Sequence, residues 1–148
     1  MTKSYTNDSN CSNPFNHYTH TNLKYCDLQV NGYLGINFSG LNLTHKDTRK
    51  AYRGLINAGT WYFCPTLITS PDEIYFQNLK ILTDVAMEEE FKEHIVGIHM
   101  EGPYITNKKG GLGCHNVSYV KQFKSLAFMK KCISLCQGLL KIVTISPE

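Results

Sequence analysis

No stretch of this chain stays apolar for the roughly 20 residues that a membrane-spanning helix needs. No membrane partner is therefore expected. Neither sign of charge dominates. Fifteen Lys and Arg stand against 12 Asp and Glu, a formal net charge of +3, and that balance implies no nucleic-acid partner. Met1 to Asn22 is polar and lacks the apolar core of a secretory signal. The six cysteines form no C-x-x-C pair. Cys132 and Cys136, four apart, fall on one helix face. Free thiols in a cytoplasmic protein are the expectation, since disulfides are rare in that compartment. Asn7, Asn10, Asn37, Asn42 and Asn116 each open an N-x-Ser/Thr sequon, but without a secretory signal these are expected to stay unmodified.

What is present divides into two parts. Residues 1–23 are rich in Asn, Ser, Thr and His. They carry too little apolar side chain to pack and read as a disordered polar leader. Residues 24–148 have the patterning of a folded unit, and 42% of the whole chain is hydrophobic. A first strand is expected over Tyr25–Asn31. A helix should follow, capped by Thr44 with Asp47 returning the bond. Its apolar face is Ala51, Tyr52, Leu55 and Ile56, and Gly59 suits its end. Thr60–Leu67 reads as strand two. Ser70-Pro71-Asp72-Glu73 predicts a capped helix start, continued by Tyr75, Leu79, Leu82 and Ala86. Ile95–Glu101 is the third expected strand. Ser118 is placed as the cap of a third helix through Val120, Phe123, Ala127 and Leu135 to Gly138. Leu140–Ser146 is the fourth strand. Alternation of this kind predicts an α/β fold with parallel strands and right-handed crossovers. Four strands and three helices amount to half of a TIM-type (β/α)8 barrel, which takes about 250 residues.

The chemistry concentrates at one strand end. His99-Met100-Glu101-Gly102-Pro103 closes the run Ile95-Val96-Gly97-Ile98. A carboxylate at the carboxyl end of a buried parallel strand stands where α/β barrels place catalysis. Side chains alternate along a strand, so His99 and Glu101 share a face. A basic glycine loop follows, Lys108-Lys109-Gly110-Gly111-Leu112-Gly113-Cys114-His115.

This segment resembles the N-acetylglucosamine-6-phosphate deacetylases of the amidohydrolase superfamily. Asp27-Leu28-Gln29-Val30-Asn31-Gly32-Tyr33-Leu34-Gly35 looks like the family's first barrel strand. Gly59-Thr60 with Cys64-Pro65-Thr66-Leu67-Ile68-Thr69-Ser70 looks like its second, and Ile142-Val143-Thr144-Ile145-Ser146-Pro147-Glu148 like its fourth. The resemblance implies a metal-dependent hydrolase that removes acetate from N-acetylglucosamine 6-phosphate in amino-sugar metabolism. Glu101 matches its metal-binding glutamate. Cys114 and His115 fall at the positions that contact the sugar, although Gly111-Leu112-Gly113 looks like an insertion just before them. Gln29 and Asn31 stand where many amidohydrolases carry a His-x-His pair. Amides are poor ligands for a transition metal, and the amide version is associated with a single divalent ion such as zinc or iron. His99 is expected in the barrel interior, orienting Glu101 through a hydrogen bond. Lys108 and Lys109 could attract a sugar phosphate.

The family's two metal-binding histidines and its aspartate acid–base come from later strands, so this sequence holds no catalytic residue of its own. The expectation is an incomplete deacetylase, inactive alone and self-associating through uncovered strand edges. The alternative is a non-catalytic half-barrel that acts by pairing with another chain.

Overall fold

The computed structural model describes residues 24–108, 110–122 and 126–147. The expected leader, Lys109 and Phe123 lie outside the described residues. Element order is β1 (Tyr25–Val30), β2 (Gly32–Tyr33), β3 (Ile36–Asn37), α1 (His45–Asn57), β4 (Thr60–Ile68), α2 (Asp72–Ala86), β5 (Ile98–Glu101), α3 (Ala127–Leu135) and β6 (Leu140–Thr144). One sheet runs β1-β4-β5-β6, and every pairing in it is parallel. The partial barrel expected from the alternation is therefore present, with all four strands delivering their carboxyl ends to one side. No helix among the described residues is long and apolar enough to cross a membrane.

Alternation along the strands separates two environments. Phe63 and Leu67 on β4, with Ile98 and Met100 on β5, join the buried apolar core shared with α1 and α2. Between them on the strands, Thr66 and His99 face the other side and bond to each other at 3.3 Å. The helix-facing layer is oily, and the barrel-interior layer is polar. Helix periodicity supplies the partners: Ala51, Tyr52 and Leu55 from α1, and Tyr75, Leu79, Leu82 and Ala86 from α2, are all buried. Tyr52 is the hub. Its ring meets Phe38, Phe63 and Phe91 edge-on at centroid distances of 5.8, 5.1 and 5.5 Å, a favoured aromatic geometry. Asn78 crosses from α2 to hold the chain before α1, donating to the carbonyls of Phe38 and Gly40 at 2.8 and 2.9 Å.

The cap of α1 forms as expected. The Asp47 N–H donates to Thr44 Oγ1 at 3.1 Å, and the Thr44 hydroxyl donates to Asp47 Oδ2 at 2.7 Å. Ala58 is the C-cap, and Gly59 follows it at φ +94°. Other expectations need correction. Pro71, not Ser70, stands at the cap of α2, with no side-chain bond to the helix. The Ser70 hydroxyl instead donates back to the Ile68 carbonyl at 2.8 Å. Ser118 does not start a long helix. It lies in a single 3-10 turn, Val117–Tyr119, capped by the Asn116 side chain. The next residues are tied away, with the Lys121 N–H on the Pro103 carbonyl and the Lys121 ammonium on Asp72, so α3 starts only at Ala127. Ile95 makes an isolated bridge to Phe63, the strand itself starts at Ile98, and its ladder with β4 starts at His99. The β2–β3 hairpin was not expected. It pairs Gly32 with Asn37 and Tyr33 with Ile36.

On the surface, α1 is stapled to the end of α2 and the turn after it. Arg49 bonds Glu88, Arg53 bonds Glu90, and Asp84 pairs with both His45 and Lys80. These partners hold Asp84, Glu88 and Glu90 below their ordinary values. A carboxyl with a depressed folded-state value stabilises above its unfolded value and loses that contribution as pH falls. Stability should therefore decline on acidification below about pH 4.5. Asp84→Asn combined with Glu88→Gln should flatten that acid limb in a pH series of thermal melts. In the core, Tyr52→Ala should cost about 3–5 kcal/mol, whereas Tyr52→Phe loses only a 3.4 Å bond to the Leu82 carbonyl and should cost about 1 kcal/mol or less. Urea unfolding of both variants checks this.

Candidate active site

β5 is the only strand of the four-stranded sheet whose last residue is a carboxylic acid, and its pairing on both sides sets where that group stands. Glu101 is opposite Ile68 of β4 and opposite Thr144 of β6. At Gly102 the chain turns away at φ +93°, its N–H held by the Thr144 carbonyl at 3.1 Å. The Glu101 side chain is 21% exposed, so the carboxylate sits at the mouth, neither sealed nor free.

Two expected site residues meet it. Gln29 Nε2 donates to Glu101 Oε2 at 2.8 Å. This is reached because the β1–β4 register slips between Asp27 and Val30. His115 Nε2 lies 3.7 Å from Glu101 Oε1, within ion-pair reach and too long for a hydrogen bond. The glycine-rich insertion thus does not carry His115 away. Its side chain is only 9% exposed, and its buried Nδ1 has no protein partner. Asn31 and the exposed Cys114 line a neighbouring cavity of about 440 Å³ with Tyr33, Ile36 and Ile68. The hairpin that sequence reasoning missed forms one wall of it. Lys108 instead lines a separate groove of about 500 Å³ with Thr106, Lys121 and Ser146.

His99 requires a correction. It makes no hydrogen bond to Glu101. Its Nε2 is 2.8 Å from Thr144 Oγ1 and its Nδ1 is 3.3 Å from Thr66 Oγ1. An alternating strand puts His99 and Glu101 about 7 Å apart along the chain, which suits parallel side chains rather than a bond between them. His99 is 4% exposed. Burial pushes it below the ordinary histidine value, against the opposing pull of the Glu101 charge and a backbone hydrogen bond at Leu28. Buried with two hydroxyl partners and no carboxylate bonded to it, the ring lacks the counter-charge that a buried imidazolium needs. Thr66 and Thr144 were not picked out as functional, although the pairing of Glu101 with Thr144 would have pointed to the latter.

No group of three His, Cys, Asp or Glu side chains that could hold a metal ion occurs among the described residues. A catalytic zinc site normally draws three protein ligands. Glu101 can supply one such ligand, and the described residues do not complete the set.

The architecture is a parallel α/β part-barrel with a glutamate at the carboxyl end of an inner strand and an amide and a histidine brought to it. Among known proteins, the chain is 31% identical over 129 residues to the N-acetylglucosamine-6-phosphate deacetylase of Bos taurus and 32% over 130 residues to that of Mus musculus, covering 84% of this chain in each case. It spans only 30% of the length of these curated relatives. A solved N-acetylglucosamine-6-phosphate deacetylase from Pasteurella multocida superposes with a TM-score of 0.68 at 27% identity, over 83% of this chain and 31% of that one. One from Mycobacterium smegmatis, in complex with N-acetyl-D-glucosamine-6-phosphate, shares the fold with a TM-score of 0.69 at 23% identity, over 84% and 30%. No family model matches the chain. The chain belongs to the N-acetylglucosamine-6-phosphate deacetylase family and carries part of its barrel.

The turn after Glu101 gives a direct test. A Cβ on Gly102 would collide with the Thr69 hydroxyl, and φ +93° strains any L side chain. Gly102→Ala should destabilise by about 1–3 kcal/mol, read by denaturant unfolding. It should also weaken the Gln29–Glu101 contact, read as a shift of the Gln29 side-chain amide signals.

Proposed function

We propose that residues 24–148 form the N-terminal half of the barrel of a metal-dependent N-acetylglucosamine-6-phosphate deacetylase, which hydrolyses the acetamide to glucosamine 6-phosphate and acetate. The observation that carries this reading is Glu101. It ends the central strand at the barrel mouth with Gln29 and His115 turned toward it, in a chain about 30% identical to enzymes of that name. A divalent ion, zinc or iron, would supply the polarisation of the amide carbonyl and a more acidic water.

Each residue then has a task. Glu101 is the ligand this chain contributes. Gln29 holds one carboxylate oxygen by its amide and leaves the other to bind. The unpartnered Nδ1 of His115 suits a hydroxyl of the sugar, with Cys114 beside it. Gln29 and Asn31, being amides, favour one ion over two. The remaining ligands and the acid–base must come from sequence beyond the described residues. A cytoplasmic location goes with this reading, since all five described cysteines are free and thiols persist in a reducing compartment. The outer edges of β1 and β6 have no strand neighbour among the described residues, and uncovered edges recruit other chains. Self-association follows for residues 1–148 on their own.

Three outcomes are expected. The 148-residue chain alone should release no acetate from N-acetylglucosamine 6-phosphate at any metal concentration and should scatter light as more than a monomer. In a whole barrel that has this sequence as its N-terminal part, elemental analysis should find one tightly held ion per chain. There, Glu101→Gln should lower metal content and turnover together. Loss of a ligand's supporting partner already costs 10–100-fold, so the fall should be at least about a hundredfold. A fully active, fully metallated variant would remove Glu101 from the ligand set.

A further inference from the structure

Both ring nitrogens of His99 are hydrogen-bonded to threonine hydroxyls. The residue sits on an inner strand, and its ring bonds to the strand on either side. Thr144 on β6 lies at Nε2 and Thr66 on β4 lies at Nδ1. The direction of each bond can be worked out. A threonine has one hydroxyl proton. Thr66 uses its own on the Cys64 carbonyl, at 3.1 Å. Thr66 Oγ1 can then only accept from His99, so Nδ1 carries the ring proton. A neutral imidazole with its proton on Nδ1 has a lone pair on Nε2, and the Thr144 hydroxyl must donate to it. The line runs one way: Thr144 to His99, His99 to Thr66, Thr66 to the backbone.

We propose that His99 is a positioning residue, fixed as the Nδ1–H tautomer between Thr144 and Thr66, which aims Glu101 by tying β4 and β6 to β5 behind it. The strand end that carries the carboxylate depends on this tie. Thr144 also accepts the Gly102 N–H through its carbonyl, so it anchors the residue after Glu101 as well as the ring before it. Gln29, whose amide holds Glu101 Oε2, meets the carboxylate where this strand end places it. With both ring nitrogens engaged, His99 is unavailable as a metal ligand. The hydrogen-bond assignment stands apart from the deacetylase reading, and only its consequence for catalysis rests on that reading.

The test is 15N-histidine NMR on the 148-residue chain, in solution or in the solid state, with the Gln29 side-chain amide as a second reporter. The wild type should show Nδ1 protonated and Nε2 bare. Thr144→Ser keeps the donor and should keep both signals. Thr144→Val removes it and should shift the tautomer toward Nε2–H and move the Gln29 amide resonances, although Thr144 and Gln29 share no contact that a merely local change would disturb. An Nε2–H tautomer in the wild type would overturn the proposal, and this needs no variant to fold. So would a Thr144→Val chain that changes tautomer while the Gln29 amide stays in place. Metal content of the Glu101→Gln barrel is measured separately, so failure of either reading leaves the other intact.

Discussion

Pairing of β5 on both edges is the constraint on which the rest of the structure depends. A parallel strand in the middle of a sheet cannot slide without breaking two ladders at once. His99 to Glu101 are held opposite Thr66 to Ile68 on one side and Ile142 to Thr144 on the other. That double pairing fixes the height of the Glu101 carboxylate at the mouth. It also puts a threonine on each side of His99. The same register turns Ile98 and Met100 into the helix layer, so the site and the core are two faces of one decision about strand alignment.

The polar interior is unusual in being settled by few atoms. Three side chains, Thr66, His99 and Thr144, satisfy one another in a single direction, with the surplus proton ending on a backbone carbonyl. Buried polar groups are tolerated when their partners are complete. Here completeness also excludes alternatives, because a ring with both nitrogens occupied has no lone pair left for an ion.

Much of the fold was legible in the sequence because its signals are periodic. Tyr75, Leu79, Leu82 and Ala86 all lie on the buried side of α2, and Thr44 with Asp47 caps α1 as their spacing demands. Signals that depend on distant partners were not legible. Ser118 looks like a helix cap, but Asn116 closes a 3-10 turn there and Pro103 takes the next N–H. Ser70 looks like a cap, but its hydroxyl finds the Ile68 carbonyl instead. At the site, Glu101, Gln29 and His115 could be singled out as residues, and their convergence came from the β1 register slip and the return of the glycine loop. The partners of His99 were hidden because cross-strand register is not written in any one segment.

The division of the sheet into an oily outer face and a polar inner one has a consequence for how the chain is made. Tyr52, Phe63, Leu79 and Ile98 bury themselves between helices and strands that are neighbours in sequence, with no need of the barrel's far wall. A core of such local α/β contacts can close while synthesis is still under way. Formation of the oily face therefore does not wait on whatever covers the polar one.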